Sequence, residues 1–577
     1  MGKAQRFGLI TTNSLRQTFA RRVVQMHLGA GVPASSGSDK AEGKLKIQNQ
    51  PLSLVFAIPD HPWVDTAEGA AVRIAMTVGV AGTHEGEMLN VTAEIGHSDG
   101  SANVVLQSEK GKISADLTLG ADVTSTVPLK SNERLAYRGV QLIGSGFIVT
   151  PEEAKQLGLG THPGVINCIR PYRNGRDLTD QPRDVFAIDL FDLTEVEVRE
   201  RYPAVYQHVL TRVKPERDLN NRESYRKAWW IHGEPRRDLR PALGSLKRFI
   251  VTIETSKHRC FQFLSADILP DNKLVVIALN DAFHLGVLSC RLHKTWALAQ
   301  GAMLEDRPVY PKSECFDPFP FPLCDEATKA RIRSLAEELD AHRKRVQAQH
   351  GLTLTGIYNV LEKLRAEKPL NAKEKEIHDK GLVSILKQLH DDLDEAVFAA
   401  YGWSHLWKMR EEAQRGTIHD FKTGIVTQLD LDPEGDGLTT AFRAFERELD
   451  AEILTRLVAL NAQRAADEKR GIIHWLRPDY QNPQGASSTQ GTLALPKAKT
   501  AKPKATAKTS KTKTPWPKPL AERIRATEQA LHAAAHPVTA ITLTQQFSRA
   551  SSLDIQDILE TLVSLGRAQQ SGLNFHI

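Results

Sequence analysis

Tyr137–Gly146 reads YRGVQLIGSG and opens a run of unusual local patterns that decides how the chain is organised. Arg170–Asp177 follows as RPYRNGRD, Val213–Trp230 as VKPERDLNNRESYRKAWW, Phe249–Arg259 as FIVTIETSKHR and Leu288–Ala297 as LSCRLHKTWA. CFDPFPFP closes the run at Cys315–Pro322. Cationic side chains here are interleaved with aromatics and amides, away from any amphipathic helix. Guanidinium groups hold phosphate or guanine, and amides hold adenine. Residues 131–322 are therefore expected to form a mixed α+β domain that reads DNA sequence.

Upstream, residues 1–130 read as part of an α/β domain. Arg6–Thr11, Leu52–Ile58, Ala70–Val80 and Leu89–Gly96 are expected strands. Asn13–Leu28 places Leu15, Phe19, Val23 and Met26 on one helical face. The order β-α-β-β-β fits the second half of an open twisted sheet whose last strands form an antiparallel hairpin. A complete doubly wound domain needs several more β-α units ahead of it. Downstream, residues 323–477 carry apolar stripes between charged faces and read as helices over Glu326–His350, Thr355–Glu367, Ala372–Tyr401, Trp403–Glu412 and Thr439–Arg464. Residues 478–518 form a linker whose lysines, from Leu495 to Lys518, have no acid among them. Residues 519–577 show helix, helix, helix and then a hairpin, a winged-helix-like order.

The net charge of +6 over 577 residues comes largely from that lysine tract, so overall charge says little about nucleic acid. The tract is either a solvated spacer or a non-specific DNA tether. No apolar run reaches the ~18–20 residues of a bilayer span, and no secretory signal opens the chain, so the cytoplasm is expected. Five cysteines without a CxxC fit reduced thiols. Cys315 and Cys324 are too isolated for a zinc knuckle, and no metal is expected.

At TTNS (Thr11–Ser14), YRGVQLIGSGF, NGRDL, VKPERDLNNR, WWIHGEPR, TSKHRCF, LSCRLHKTWA and CFDPFPFP, the chain resembles the MmeI-like, gamma-type DNA adenine methyltransferases of restriction–modification systems. LDEAVFAAYGW (Leu393–Trp403) and the stretch Leu460–Pro483 resemble the helical region that follows the recognition domain in that family. The resemblance implies a partial class I (Rossmann-like) methyltransferase sheet, a target recognition domain and a helical domain. It also implies transfer of a methyl group from S-adenosylmethionine to adenine N6 in duplex DNA, with the base taken out of the stack. The family's Gly-containing cofactor loop and its Asn/Asp/Ser-Pro-Pro-aromatic loop are absent from this sequence. GSGF (Gly144–Phe147) and FDPFPF (Phe316–Phe321) are decoys, explained by a tight turn and by domain-boundary packing. No complete nuclease constellation stands out. The expected partner is double-stranded DNA, and either a separately encoded amino-terminal methyltransferase/nuclease part or lost upstream sequence is expected to carry the cofactor and catalytic loops. The alternatives are a non-catalytic sequence-specific DNA-binding module and a gene remnant.

By the resemblance, Thr12, Asn13 and Gln17 border the target-base pocket; Thr12 or Asn13 can equally cap the next helix. Candidate DNA contacts come from the residues themselves. Arg173 and Arg176 flank Asn174 and Gly175, which suggests a turn presenting both outward. Lys214, Arg217, Arg222 and Arg226 lie close together, and Lys257, His258 and Arg259 form a second cluster. Arg291 and His293 alternate in a strand or an early helix. Any of these cations can instead be a solvated surface group, and Arg217 can pair with Glu216 or Asp218. Trp229 and Trp230 suit a core or domain interface better than base stacking.

Overall fold

The computed structural model describes residues 6–12, 24–25, 28, 52–63, 72–96, 102–304, 307–421, 423–428, 437–483, 514–517 and, with short gaps, 520–576. The chain divides into two units, Met1–Thr489 and Gln490–Ile577.

The first unit begins with a five-stranded sheet: β1 (Arg6–Thr12), β2 (Leu52–Trp63), β3 (Val72–Ala81), β4 (Gly86–Gly96) and β5 (Ala102–Gly111), in the order β1-β3-β2-β4-β5. β3 runs antiparallel to both β1 and β2, so those two point the same way. The helix expected over Asn13–Leu28 falls almost wholly outside the described residues. β2 continues past Pro59 to Trp63 because a register irregularity between Ile58 and His61 absorbs a residue that cannot donate to the ladder. β5 carries no apolar alternation and is exposed along most of its length; its backbone ladder to β4 holds it.

Two small sheets build the middle of the chain. Their strands are β6 (Ala136–Arg138), β7 (Ile148–Val149), β8 (Ile169–Arg173), β9 (Phe186–Ile188), β10 (Arg248–Ile253), β11 (Gln262–Ser265), β12 (Leu269–Pro270) and β13 (Leu274–Ile277). One sheet is ordered β12-β8-β9-β7 and the other β11-β10-β13-β6. The first packs against helices Glu195–Arg201 and Pro203–Arg212 through Phe147, Val149, Val198, Val205, Val209 and Trp229. The run Glu195–Val209, whose pattern predicts one helix, is split because Pro203 lacks an amide donor and the chain breaks at Tyr202.

The second small sheet shares its core with the helical region. Ile250, Phe261, Ile277, Trp296 and Phe319 join Ile332, Leu339, Leu393, Val397 and Leu457 in one buried cluster. That cluster crosses position 323, so recognition strands and helices are held as one body. Helices Glu326–His350, Leu354–Arg365, Ser404–Gln414 and Gly437–Lys469 stand close to expectation. The expected Ala372–Tyr401 helix is two, Ala372–Gly381 and Val383–Ala400, separated at Leu382, whose φ is 46°. The first residues of the expected linker are folded: Gln481 is buried and donates to Ser131 O and Glu133 O. Residues 484–513, most of that linker, lie outside the described residues.

The second unit contains helices Leu520–His532, Ala540–Thr544 and Ser552–Ser564 and a hairpin of Gln569–Ser571 with Asn574–His576. Leu531, Leu543, Ile555, Leu559, Leu562 and Phe575 form its core.

Several histidines are buried in the first unit. Burial pushes His284 down to about 4 and His293 down to about 3, and it lowers His232 and His390 as well. Each is neutral in the fold, while its unfolded form titrates near 6.5. Below that pH the unfolded chain binds protons that the native chain refuses, so stability falls as pH drops. At pH 5 the loss is about 2 kcal/mol for each of His284 and His293. Thermal melts should show Tm falling steadily from pH 7 to pH 5, and replacing His293 with Asn should flatten that slope.

Candidate nucleic-acid interface

Two short helices, Lys214–Asp218 and Glu223–Lys227, meet at a projecting turn, Leu219–Arg222. Beneath them lies Arg217, only 1% exposed. It donates to Leu142 O at 2.9 Å and to Ile231 O at 2.7 Å, and its guanidinium stands over the rings of Phe147 and Tyr225. Its Nε and Nη1 have no partner among the described residues. Burial holds its pKa below the usual arginine value. A buried cation held by carbonyls and ring faces is costly, and it persists only where the surrounding fold over-determines it.

The strand end it grips is strained. Ile143 has φ 50° and Gly144 φ 150°, and a β-branched residue at positive φ is a genuine outlier. Gly233 N also donates to Leu142 O, Gln141 and Glu234 exchange backbone bonds, and Ser145 N donates to Glu216. Gly146 has no room for a Cβ, which would lie 2.7 Å from the backbone oxygen of Arg212. The GSGF stretch is therefore a clamped turn, as expected of a decoy for a cofactor loop.

Above this floor the turn is tied by its own polar groups. Asn220 Oδ1 accepts from Arg222 N, Arg226 donates to Asn220 O, and Arg222 Nη1 donates to the hydroxyl of buried Tyr225. Lys214 pairs with Asp218 at 2.6 Å and Lys227 with Glu223 at 2.7 Å. Those carboxylates are thereby matched, Arg222 also faces Glu234 at 3.8 Å, and Arg226 is exposed.

A second presenting turn follows β8. Asn174 caps the helix Gly175–Thr179, accepting from the amides of Arg176 and Asp177. Arg176 stands exposed, as the Asn-Gly pair suggested. Arg173 does not: its side chain is 16% exposed and pairs with Asp184 at 3.0 Å. Buried Asp177 takes both prongs of Arg183 at 2.8 Å. Burial pushes that carboxyl up, but the guanidinium and nearby amides outweigh it and hold it below the usual range.

The remaining cationic candidates are packing groups. His293 is fully buried and bonded to Tyr310 OH, and Arg291 is clamped by Glu446 and Asp450 of the long helix. Arg259 donates to Ile253 O, Thr252 Oγ1 and Pro308 O. Buried His258 meets Asn359 and Glu362, while exposed Lys257 donates to Asn359 Oδ1 at 2.7 Å. With Arg217, the buried members of this set hold the domain's shape and do not form its outer face. Sequence reasoning could not separate them from Arg222 or Arg226, because a guanidinium reads alike whether it meets a carbonyl or water. Trp229 is core and Trp230 half-buried, as expected. Thr12 ends β1 and is exposed; Asn13 and Gln17 lie outside the described residues. Among the described residues no group of three His, Cys, Asp or Glu could hold a metal, and no helix is long and apolar enough to cross a membrane. Sequence reasoning missed Leu219, at the tip, although a lone Leu before Asn-Asn-Arg was a signal.

Two small sheets here hold arginines and amides at exposed, braced turns. Residues 124–323 match the family model "MmeI, target recognition domain", so this part of the chain is MmeI-like, as its motifs implied. The fold is also similar to that of the type IIL restriction-modification enzyme MmeI, solved in complex with DNA, with TM-score 0.52 and 16% identity. That match covers 80% of this chain and 50% of the other. The type IIG restriction endonuclease BpuSI matches at TM-score 0.24 and 12% identity over 70% of this chain and 48% of its own, too low to inform the fold. The chain thus spans about half the length of the solved structures it matches. No curated protein matches it.

Replacing Arg217 with Ala should cost about 3 kcal/mol, from orphaned carbonyls and a void between two rings. Arg217→Lys should recover little, because a point charge cannot serve two carbonyls and two ring faces together. Urea melts of the two variants test this; a melt for Arg217→Ala within error of the parent would refute it.

Proposed function

We propose that this chain supplies duplex-DNA sequence recognition to an adenine-N6 methyltransferase of the restriction–modification type. The observation that carries the proposal is the match of residues 124–323 to a target recognition domain whose braced, exposed turns bear Arg176, Arg222, Arg226 and Asn221. Phosphate contacts by the arginines would set register, and amides and guanidinium forks at base edges would discriminate sequence. The buried candidates above would act through shape alone.

The group this chemistry uses is S-adenosylmethionine, and the residues present do not fit it. The sequence has neither the Gly-containing loop nor the Pro-Pro-aromatic loop. The cleft on the five-stranded sheet, about 280 Å³, is lined by Asp60, Arg73, Asn90 and Glu109. Its Arg73 is already paired with Asp60 and Glu94, and no aromatic side chain lines the cleft to stack an adenine. Cofactor binding and methyl transfer are therefore assigned to an amino-terminal part other than these residues. β1 offers a place for it: Phe7, Leu9 and Ile10 are exposed along an edge strand whose outer backbone groups are unmatched by any described strand. The order β1-β3-β2, with β3 reversed, supports reading these strands as the end of a class I methyltransferase sheet. The second unit, winged-helix-like in element order, and the lysine tract before it would add a sequence-independent DNA tether. The cytoplasm is the compartment where such a protein would meet its DNA.

Selection from a randomised duplex pool should enrich a defined sequence. Affinity should fall steeply with salt, and Arg176→Ala or Arg222→Ala should each reduce the log–log salt slope by about 0.9. Failure to enrich any sequence would refute recognition. With labelled S-adenosylmethionine, the chain alone should transfer no methyl group to the selected duplex; incorporation by the pure chain would overturn the assignment of catalysis to another part.

A further inference from the structure

Leu219 is the most exposed large apolar side chain among the described residues, at 87%, ahead of Ile166 at 71%. Single exposed leucines are ordinary. This one differs in its setting. It stands at the tip of a turn whose floor is the buried Arg217, and buried Tyr225 braces the same turn through Arg222. Beside it come Asn220, Asn221 and Arg222, with Arg226 tied to Asn220 O. The carboxylates on either side, Asp218 and Glu223, are neutralised by Lys214 and Lys227. The result is a stiff apolar point in an amide-rich collar in which Arg222 faces Glu234 at 3.8 Å and Arg226 is exposed.

From this we infer that Leu219 is a wedge that enters a base step of the bound duplex, with Asn221 and Arg222 meeting the neighbouring base edges or phosphates. Apolar wedges part a stack only when held rigidly, because unstacking costs a few kcal/mol per step and a mobile side chain would be displaced. The bracing supplies that stiffness. The collar favours a polyanion over an apolar protein pocket, since closing such a pocket around Leu219 would desolvate Arg226 and the loose Arg222–Glu234 pair at 3.8 Å. The inference rests on the DNA-recognition proposal and adds to it the element that deforms the helix.

The test uses the full chain and the duplex enriched by selection, with 2-aminopurine placed at each position in turn. Binding should raise 2-aminopurine fluorescence at one step. Leu219→Ala should abolish that rise and weaken binding about tenfold while leaving the salt slope unchanged. Leu219→Phe should restore the rise. Because the side chain touches solvent, the Ala variant should melt as the parent does. A fluorescence rise that survives in Leu219→Ala would overturn the wedge and leave DNA recognition standing. The wedge is equally overturned if the variant binds DNA normally but dissociates a dimer in sedimentation. If no duplex is enriched, recognition itself fails and the wedge with it.

Discussion

A guanidinium sealed away from water without a carboxylate has to be satisfied by oxygen lone pairs and ring faces. Arg217 is in that position, and the recognition domain is arranged around it. Its two carbonyl partners come from segments far apart in sequence, Leu142 and Ile231, so one side chain joins the strained turn after β6 to the end of the two short helices. Positive φ at Ile143 is tolerated because Leu142 O is held from two sides. Bracing of this kind converts a short, irregular segment into a surface with fixed geometry, which loops need if they are to discriminate between base pairs.

The cations of this domain divide by what they meet. Arg291, Arg259 and Arg217 meet carboxylates, carbonyls or aromatic rings inside the fold, and Arg173 is held by Asp184. Arg176, Arg222 and Arg226 meet solvent. Arg222 and Arg226 also keep ties to Tyr225, Glu234 and Asn220 O, so of this set Arg176 is the one whose exposed head is not part of a turn's bracing. The shared core between the second small sheet and the helices has a related consequence. Ile250 and Phe261 pack with Leu339 and Val397, so the second small sheet is fixed to a large body rather than hung on a hinge.

Much of the fold was legible. The 25-residue helix Glu326–His350 was read at its observed ends because Asp325 caps its start and Gly351 takes the left-handed position at its end. Strands β1 to β4 carried apolar runs and were found within a few residues of their ends. β5 was not, because its side chains face water and only backbone bonds define it. The break at Leu382 was hidden because the apolar stripe runs through it. His342 Nε2 meets the Gly381 carbonyl there, a contact with no trace in local spacing.

By itself, the sequence determined the MmeI-like character of the recognition segment and the places of most long helices and apolar strands. Those are properties of local composition and of motifs in a fixed order. Tertiary structure alone decided which arginines face outward, why GSGF is a clamped turn and where Leu219 stands. The physical reason is that burial is a long-range property. Whether a guanidinium finds a carbonyl from a distant segment or a water molecule depends on packing that no short window of residues contains.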